Sequence, residues 1–348
     1  MPGLHLGRVR TVNVPGSALV TGAGGFLGRH LVRELLLEGW RVRGMLLVPG
    51  QSAAWEKAPA EPVVADLLAP ESLAPAVTGV DTVFHCAARL PGSGTDADIW
   101  ATNVTGTANL LAACRRAGVR RFVFVSSDSV YGDGGNAAGH SETAPFAPDY
   151  YGEGIYPRSK QAAEELVREE YRAGGLDVVI LRPCLMYGDG ASSGNTIIRH
   201  WAQRRIHLLI GGGNAKISLL HVADMARAVT LTGADPRAVG RCYNVAAAPP
   251  CTRREIIAAI GEVTSRWPGV MVPLPAKPLE WAFSAIHPLM LRMLPRQAAA
   301  FDPRRVTFIS RNHVVDVSRI SRELGFQAGI TLKEGLKTTF HEGEHRGG

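Results

Sequence analysis

From Ala18 onward, short apolar runs alternate with stretches of helical period. Ala18-Leu19-Val20, Val42 to Val48, Val63-Val64, Val83-Phe84, Phe122 to Val125 and Val178 to Leu181 are continuous and apolar, as strands covered on both faces require. Between the first two runs, Leu27, Leu31 and Leu35 with Val32 and Leu36 share a helix face, and Ile99 to Ala117 and Tyr156 to Arg172 read as longer helices. Such alternation predicts parallel strands joined by right-handed crossovers, an α/β doubly wound parallel sheet with helices on both faces. Ligands of such sheets bind at the carboxyl ends of the strands. Near residue 190 the pattern loosens into loops and shorter helices. Leu219 to Gly233 and Cys242 to Val245 are expected to return to the main sheet.

Two segments stand outside this alternation. Gly132 to Ile155 is rich in Gly, Ala and Pro and ends in Asp149-Tyr150-Tyr151-Gly152, which makes it a candidate substrate-contacting loop. Pro278 to Pro295 is the most apolar part of the second half, with Leu279, Trp281, Phe283, Ile286, Leu289, Met290, Leu291, Met293 and Leu294. Pro288 is expected to break it into two short helices, and Glu280, His287 and Arg292 interrupt it, so it should not span a bilayer. It reads either as a core helix pair or as a lid touching a membrane surface.

Of the 348 residues 46% are hydrophobic, enough for a sizeable core, and the net charge of +7 suits a protein that binds an anionic cofactor. The arginines are scattered without a basic, aromatic-laced run, which argues against nucleic acid. Cys86, Cys114, Cys184, Cys242 and Cys251 are odd in number and contain no Cys-x-x-Cys, as expected of reduced thiols in a cytoplasmic protein without a metal site. Met1 to Pro15 has no apolar signal core, so secretion is not expected.

The chemistry lies at three places. Thr21-Gly22-Ala23-Gly24-Gly25-Phe26-Leu27-Gly28 joins the first strand to the first helix, where backbone N–H groups and a helix N-terminus can hold a pyrophosphate. Tyr156 and Lys160 stand four apart and share a helix face. A phenol titrates near ~10, and bringing it to about 7 takes roughly 4 kcal/mol of bias toward the phenolate, which a neighbouring ammonium can provide. Ser127, in Ser126-Ser127, lies between these motifs and can hydrogen-bond the same substrate oxygen. A lone Tyr-x-x-x-Lys is a weak signal; the order of all three motifs makes it specific for proton transfer at a carbinol while a cofactor takes the hydride.

With these motifs the chain resembles an extended short-chain dehydrogenase/reductase, in the NAD-dependent epimerase/dehydratase superfamily, over nearly its whole length. The glycine turn is similar to the family's Thr-Gly-x-x-Gly-x-x-Gly, and the resemblance implies cofactor contacts at Gly22, Gly25, Phe26, Leu27 and Gly28. Asp66-Leu67 resembles the pair that meets adenine, and Cys86-Ala87-Ala88 the strand end that passes the ribose. Asn103 resembles an asparagine that supports the active-site lysine. Val125 to Gly132 resembles the segment of the catalytic serine, here Ser127 with Ser126 beside the cofactor. Leu181-Arg182-Pro183 through Tyr187-Gly188 resembles the stretch along the nicotinamide, implying Pro183 and Leu185. His221-Val222-Ala223-Asp224 resembles a later family motif. The resemblance implies a Rossmann domain at 1–189, with 218–247 returning to it, and a smaller C-terminal substrate-binding lobe at 190–217 and 248–348. It also implies a catalytic set of Ser127, Tyr156 and Lys160, the last two contacting the cofactor as well. A homodimer through the helices Ile99 to Ala117 and Tyr156 to Arg172 is implied too, with Ala162, Ala163, Leu166 and Val167 offering apolar surface.

Within that family the reaction is narrowed by departures. A dehydratase uses Thr-Asp-Glu where this chain has Ser127-Asp128-Ser129, and a serine cannot remove a carbon-bound proton unaided. Asp128, Ser129 and Tyr151 remain candidate substrate contacts, and Asp128 is equally a turn cap. Leu185 stands where nucleotide-sugar enzymes carry an asparagine, and Ile217-Ser218-Leu219-Leu220 lacks their arginine. The chain is thus most similar to the 3β-hydroxysteroid dehydrogenase and dihydroflavonol reductase branch, implying an apolar alcohol or ketone. A nucleotide-sugar 4-epimerase is the alternative, and a non-catalytic dinucleotide sensor an alternative of another class. The end of the second strand, Met45-Leu46-Leu47, has neither the acid of NAD users nor the arginine of NADP users, with Gln51 and Ser52 as weak substitutes, so NAD and NADP both stay open.

Overall fold

A computed structural model describes residues 16–50, 58–132, 135–136, 138–147, 154–190, 193–265, 267–298 and 301–341. The first half runs β1 (Ser17–Thr21), α1 (Phe26–Leu37), β2 (Arg41–Leu46), β3 (Glu61–Val64), α2 (Pro70–Val77), β4 (Thr82–His85), α3 (Asp96–Trp100), α4 (Gly106–Ala117), β5 (Arg121–Val125), α5 (Ile155–Arg172) and β6 (Asp177–Pro183). Then follow β7 (Leu185–Tyr187), α6 (Ser193–Gln203), β8 (Ile206–Ile210), β9 (Lys216–Ile217), β10 (Leu219–His221), α7 (Val222–Ala234), β11 (Arg241–Val245), β12 (Cys251–Thr252) and α8 (Arg253–Thr264). The chain closes with β13 (Val270–Leu274), α9 (Ala276–Met293), α10 (Pro295–Ala298), α11 (Pro303–Ser310), α12 (Ser318–Leu324) and α13 (Leu332–His341).

Among the described residues, seven strands pair in parallel in the order β11-β6-β5-β4-β1-β2-β3. The order reverses at β1, so the chain leaves β1 and β4 toward helices on opposite faces of the sheet, which leaves a crevice beyond the carboxyl ends of the two strands. The central strands are apolar because both faces are covered. Leu31, Val32 and Leu35 of α1 and Met225 and Val229 of α7 fill one face. Leu73 of α2, Leu110 of α4 and Ala163 and Val167 of α5 fill the other. This is a Rossmann-type sheet.

Several expectations are corrected here. Cys242–Val245 joins the sheet beside β6, but Leu219–His221 does not. It pairs with β7 in a separate two-stranded sheet, while its Leu220 and the helix after it, α7, reach the main core beside α1. The long helix Ile99 to Ala117 is interrupted by a π-helical turn over Ala101–Thr105. On α5, Ala163 and Val167 are consumed by the core, leaving Ala162 and Leu166 half-buried. Pro288 does not break α9, which runs through it for 18 residues. Three inward contacts anchor the half of the helix before the proline: Glu280 accepts from Thr307 Oγ1 at 2.9 Å, Phe283 packs on Phe301 at 5.6 Å, and His287 Nδ1 lies 3.2 Å from the Ala298 carbonyl.

Candidate active site

The glycine turn is shaped by close backbone approach. Gly22 has φ +66°, a left-handed value that favours glycine, and a Cβ there would come 2.9 Å from the Ala87 Cα. A Cβ on Gly28 would come 2.0 Å from the Gly22 carbonyl oxygen, so α1 can dock only with glycine at that position. Gly25 is exposed, caps α1 with no side chain, and the first turn of α1 carries no acid. Free N–H groups at a helix start, unobstructed and at the reversal point of the sheet, fit the pyrophosphate of a dinucleotide.

The remaining implied cofactor residues divide. Ala87 donates its N–H to Thr21 Oγ1 at 3.1 Å and packs on Gly22, which places Cys86-Ala87-Ala88 along the crevice. Pro183 ends β6 and is buried, and Leu185 is half-buried against an apolar cluster that includes Ile198, Ile256 and Ile260. Asp66 caps its own turn by accepting from the Leu68 N–H at 2.9 Å. The Leu67 side chain is buried beneath Gly106, so Leu68 rather than Leu67 is the exposed residue there. Ser126 is buried, and its hydroxyl donates to Glu164 at 2.8 Å rather than facing the crevice. Gln51, Ser52 and Tyr151 lie outside the described residues.

Tyr156 and Lys160 are buried in the first turns of α5. The Lys160 ammonium donates to the Val125 carbonyl at 2.7 Å and stands 4.7 Å above the Phe124 ring. Burial pushes its pKa down to about 8, with Glu164 pulling the other way, so the group is still a cation at neutral pH. Ser127 caps a short 3-10 turn at the end of β5 and accepts the Ser129 N–H at 3.2 Å. Asp128 follows it. Its desolvating surroundings raise its pKa to about 7, offset in part by hydrogen bonds within the turn. Ser129 is buried, and its hydroxyl meets no partner among the described residues. Asn103 reaches Lys160 only indirectly: its Nδ2 donates to Ser159 Oγ at 2.9 Å, and its Oδ1 accepts the Arg89 N–H at 2.8 Å.

Two buried networks beneath these groups escaped the sequence reading. His85 links Thr21 to Thr107, 2.8 and 2.9 Å away. Thr107 gives its proton to the Asn103 carbonyl at 2.6 Å, so it accepts from His85 Nε2–H; the neutral ring's Nδ1 then accepts the Thr21 hydroxyl, whose oxygen also accepts the Ala87 N–H. Burial lowers the His85 pKa to about 3, which keeps the ring neutral as this chain requires. The second network centres on Glu164. It accepts from Ser126, from Arg168 at 2.7 Å, and from both Nε and Nη2 of Arg182; Arg182 Nη1 in turn donates to Tyr131 Oη at 2.7 Å, and that hydroxyl to Asn244 at 2.6 Å. Glu164 is i+4 from Lys160 and i+8 from Tyr156, so a carboxylate on the helix face that meets the sheet was the available signal.

The neighbouring loop is fastened to the same frame. His140 stacks on Tyr131 at 5.2 Å, its carbonyl accepts from Asn244, and Glu142 accepts the Asn244 N–H at 3.0 Å. The later His-Val-Ala-Asp motif is architectural in its contacts. His221 caps α7, and Asp224 is fully buried and accepts from the Gly329 and Ile330 N–H groups, tying down the C-terminal segment.

Fold and crevice together are those of a dinucleotide-binding Rossmann protein. The profile of the NAD dependent epimerase/dehydratase family matches residues 18–246. The chain is 30% identical over 338 residues to a 3 beta-hydroxysteroid dehydrogenase/Delta 5-->4-isomerase of Mycobacterium tuberculosis, covering 92% of this chain and 88% of that one. It is 28% identical to a 2-alkyl-3-oxoalkanoate reductase of Shewanella oneidensis, covering 92% and 84%. The solved structure of MoeE5 in complex with UDP-glucose and NAD is 26% identical, with a TM-score of 0.72 and coverage of 95% of this chain and 99% of that one. The chain belongs to the NAD dependent epimerase/dehydratase family and is an NAD(P)-dependent dehydrogenase/reductase of the extended short-chain type.

Proposed function

We propose that this enzyme moves a hydride between nicotinamide and an apolar secondary alcohol or ketone. In this reading Tyr156 is the acid/base, Lys160 its electrostatic support and ribose anchor, and Ser127 the group that orients the substrate oxygen. The observation that carries it is the arrangement at the carboxyl end of β5: Ser127 beside a buried cation, Lys160, which shares a helix face with Tyr156. The bound cofactor supplies or accepts the hydride. In reduction, Tyr156 Oη gives its proton to the carbonyl oxygen as that oxygen becomes a hydroxyl, and Ser127 Oγ donates a hydrogen bond to it. The ammonium of Lys160 favours the phenolate left behind. Leu185 and Ile217, in place of polar phosphate anchors, support an apolar substrate, as does the similarity to a hydroxysteroid dehydrogenase and an oxoalkanoate reductase.

At the ribose 2′ end, Met45 and Leu46 are buried and Leu47 and Val48 exposed, while the nearby Arg43 is engaged by Glu61 and the Ala76 and Thr78 carbonyls. That supports NAD as cofactor with NADP tolerated. Five free cysteines support a reducing, cytoplasmic setting. No helix among the described residues is long and apolar enough to cross a membrane. Half-buried Ala162, and Leu166, which packs on the edge of the core but stays partly accessible, support a homodimer through α4 and α5.

The test is Tyr156→Phe assayed on a panel of steroid-like and long-chain ketones with NADH and NADPH. Turnover should fall about 10²-fold or more, as for loss of a positioned general acid, with dinucleotide affinity little changed. Near-normal turnover would remove Tyr156 from the reaction. Epimerisation of a UDP-sugar with no activity on any apolar ketone would overturn the substrate class.

A further inference from the structure

Helix α9 is amphipathic in the opposite sense to a surface helix of a soluble domain. Its inward stripe, Leu279, Glu280, Phe283, His287 and Met290, recurs at three- and four-residue spacing and meets α10 and α11. None of its 18 residues is fully buried. Its outward arc is Trp281, Ala285, Ile286, Leu289 and Met293, with Trp281 72%, Leu289 56% and Met293 68% exposed and Arg292 the charged residue on it, in the last turn. A helix facing water carries charged or polar residues on that arc. The strand that leads into α9 continues the theme: β13 exposes Val270, and its partner β8 exposes Ile206 and Leu208.

Charge favours one occupant. From Ser265 to Arg311 the sequence has seven basic residues against two acidic ones. Both acids are satisfied internally, Glu280 by Thr307 and Asp302 by Arg304 at the start of α11. Lys277 and Arg292, at either end of α9, are exposed, as is Arg305. A tryptophan-bearing apolar arc with a rim of cations and no unpaired acid matches the acyl–headgroup boundary of an anionic bilayer. A second copy of this chain would have to bring its own +7 charge against this basic rim.

We propose that α9 seats the enzyme on anionic lipid surfaces, lying in the interface plane with Trp281 and Leu289 inserted and Lys277 and Arg292 at the headgroups. The purified full chain is floated with phosphatidylcholine vesicles containing phosphatidylglycerol, without substrate or cofactor, so the outcome is independent of the catalytic reading. The protein should float with these vesicles, weakly with pure phosphatidylcholine, and less as salt rises. The double variant Trp281→Glu, Leu289→Glu should bind about 100-fold more weakly, because two apolar anchors leave the acyl region. Both residues are exposed, so its melting temperature and turnover of a water-soluble ketone should match wild type. The Lys277→Gln, Arg292→Gln variant should lose binding chiefly on anionic vesicles. Absence of flotation at millimolar lipid overturns the proposal, as does equal binding by the glutamate variant. Self-association of wild type that the glutamate variant abolishes, without flotation, would assign the face to a second copy instead.

Discussion

Replacing Glu164 with Gln tests whether the buried network beneath the site stabilises the fold. Glu164 and Arg182 are almost wholly inaccessible, and the carboxylate accepts from Ser126, Arg168 and two nitrogens of Arg182. An amide keeps the shape but removes the charge and turns one acceptor into a donor that faces the guanidinium. Breaking a buried pair by removing one partner costs about 3–5 kcal/mol. For a chain of this length the unfolding entropy is about 0.7 kcal/mol per kelvin, so the melting temperature should drop by about 4–7 °C. The assay is thermal unfolding at pH 7, supported by urea titration. Burial alone would raise the Glu164 pKa, but its bonds to Arg182 and Arg168 outweigh that, and the net shift is downward. A depressed carboxylate pKa contributes stability that is present above the unfolded value of 4.5 and lost as pH falls below it. The gap between wild type and variant should therefore be flat from pH 8 to about 5 and close in more acid solution. The double variant Glu164→Leu, Arg182→Met removes both charges and should be less destabilised than the sum of its single variants by about 2 kcal/mol or more. A Glu164→Gln cost below about 1 kcal/mol, or strict additivity, would mean the pair contributes no more than a surface ion pair and would refute this reasoning.

Gly28→Ala forces a Cβ to within 2.0 Å of the Gly22 carbonyl, so either the turn or α1 must shift; NADH binding, read by fluorescence titration, should weaken about 100-fold or more if a good pyrophosphate fit is lost, and unchanged affinity would contradict the cradle. Asp128 has a raised pKa of about 7, so its favourable contribution is fully present below the unfolded value of 3.8 and lost as pH rises through 7. Asp128→Asn should therefore become relatively more stable than wild type as pH rises from 4 to 8 and should lose any limb of the kcat/KM profile near pH 7. A melting-temperature difference that does not vary with pH would show that Asp128 does not titrate there.

The sequence by itself determined what depends on local pattern. Continuous apolar runs at Ala18 to Val20 and Phe122 to Val125 become central strands because a strand covered on both faces takes apolar side chains wherever no hydrogen-bond partner is at hand. The glycine turn is legible because Gly22 and Gly28 sit where only glycine fits, and Tyr156 and Lys160 because four residues is one helix turn. Only the tertiary structure decided what depends on which elements become neighbours. His85 is unremarkable in sequence and acquires its role because β4 lies beside β1 and under α4, bringing Thr21 and Thr107 to its two nitrogens. Glu164 and Arg182 become a pair because α5 covers β6. Leu219 to Gly233 reads as returning to the main sheet, but Leu219–His221 pairs with β7, whose place outside that sheet no local period encodes. Pro288 predicts a break, but the helix runs through it with its first half anchored on neighbouring segments, and the apolar sequence of α9 left open whether its greasiest arc faces inward or outward. Periodicity fixes which residues share a face; the surfaces available from the rest of the chain decide which face is covered.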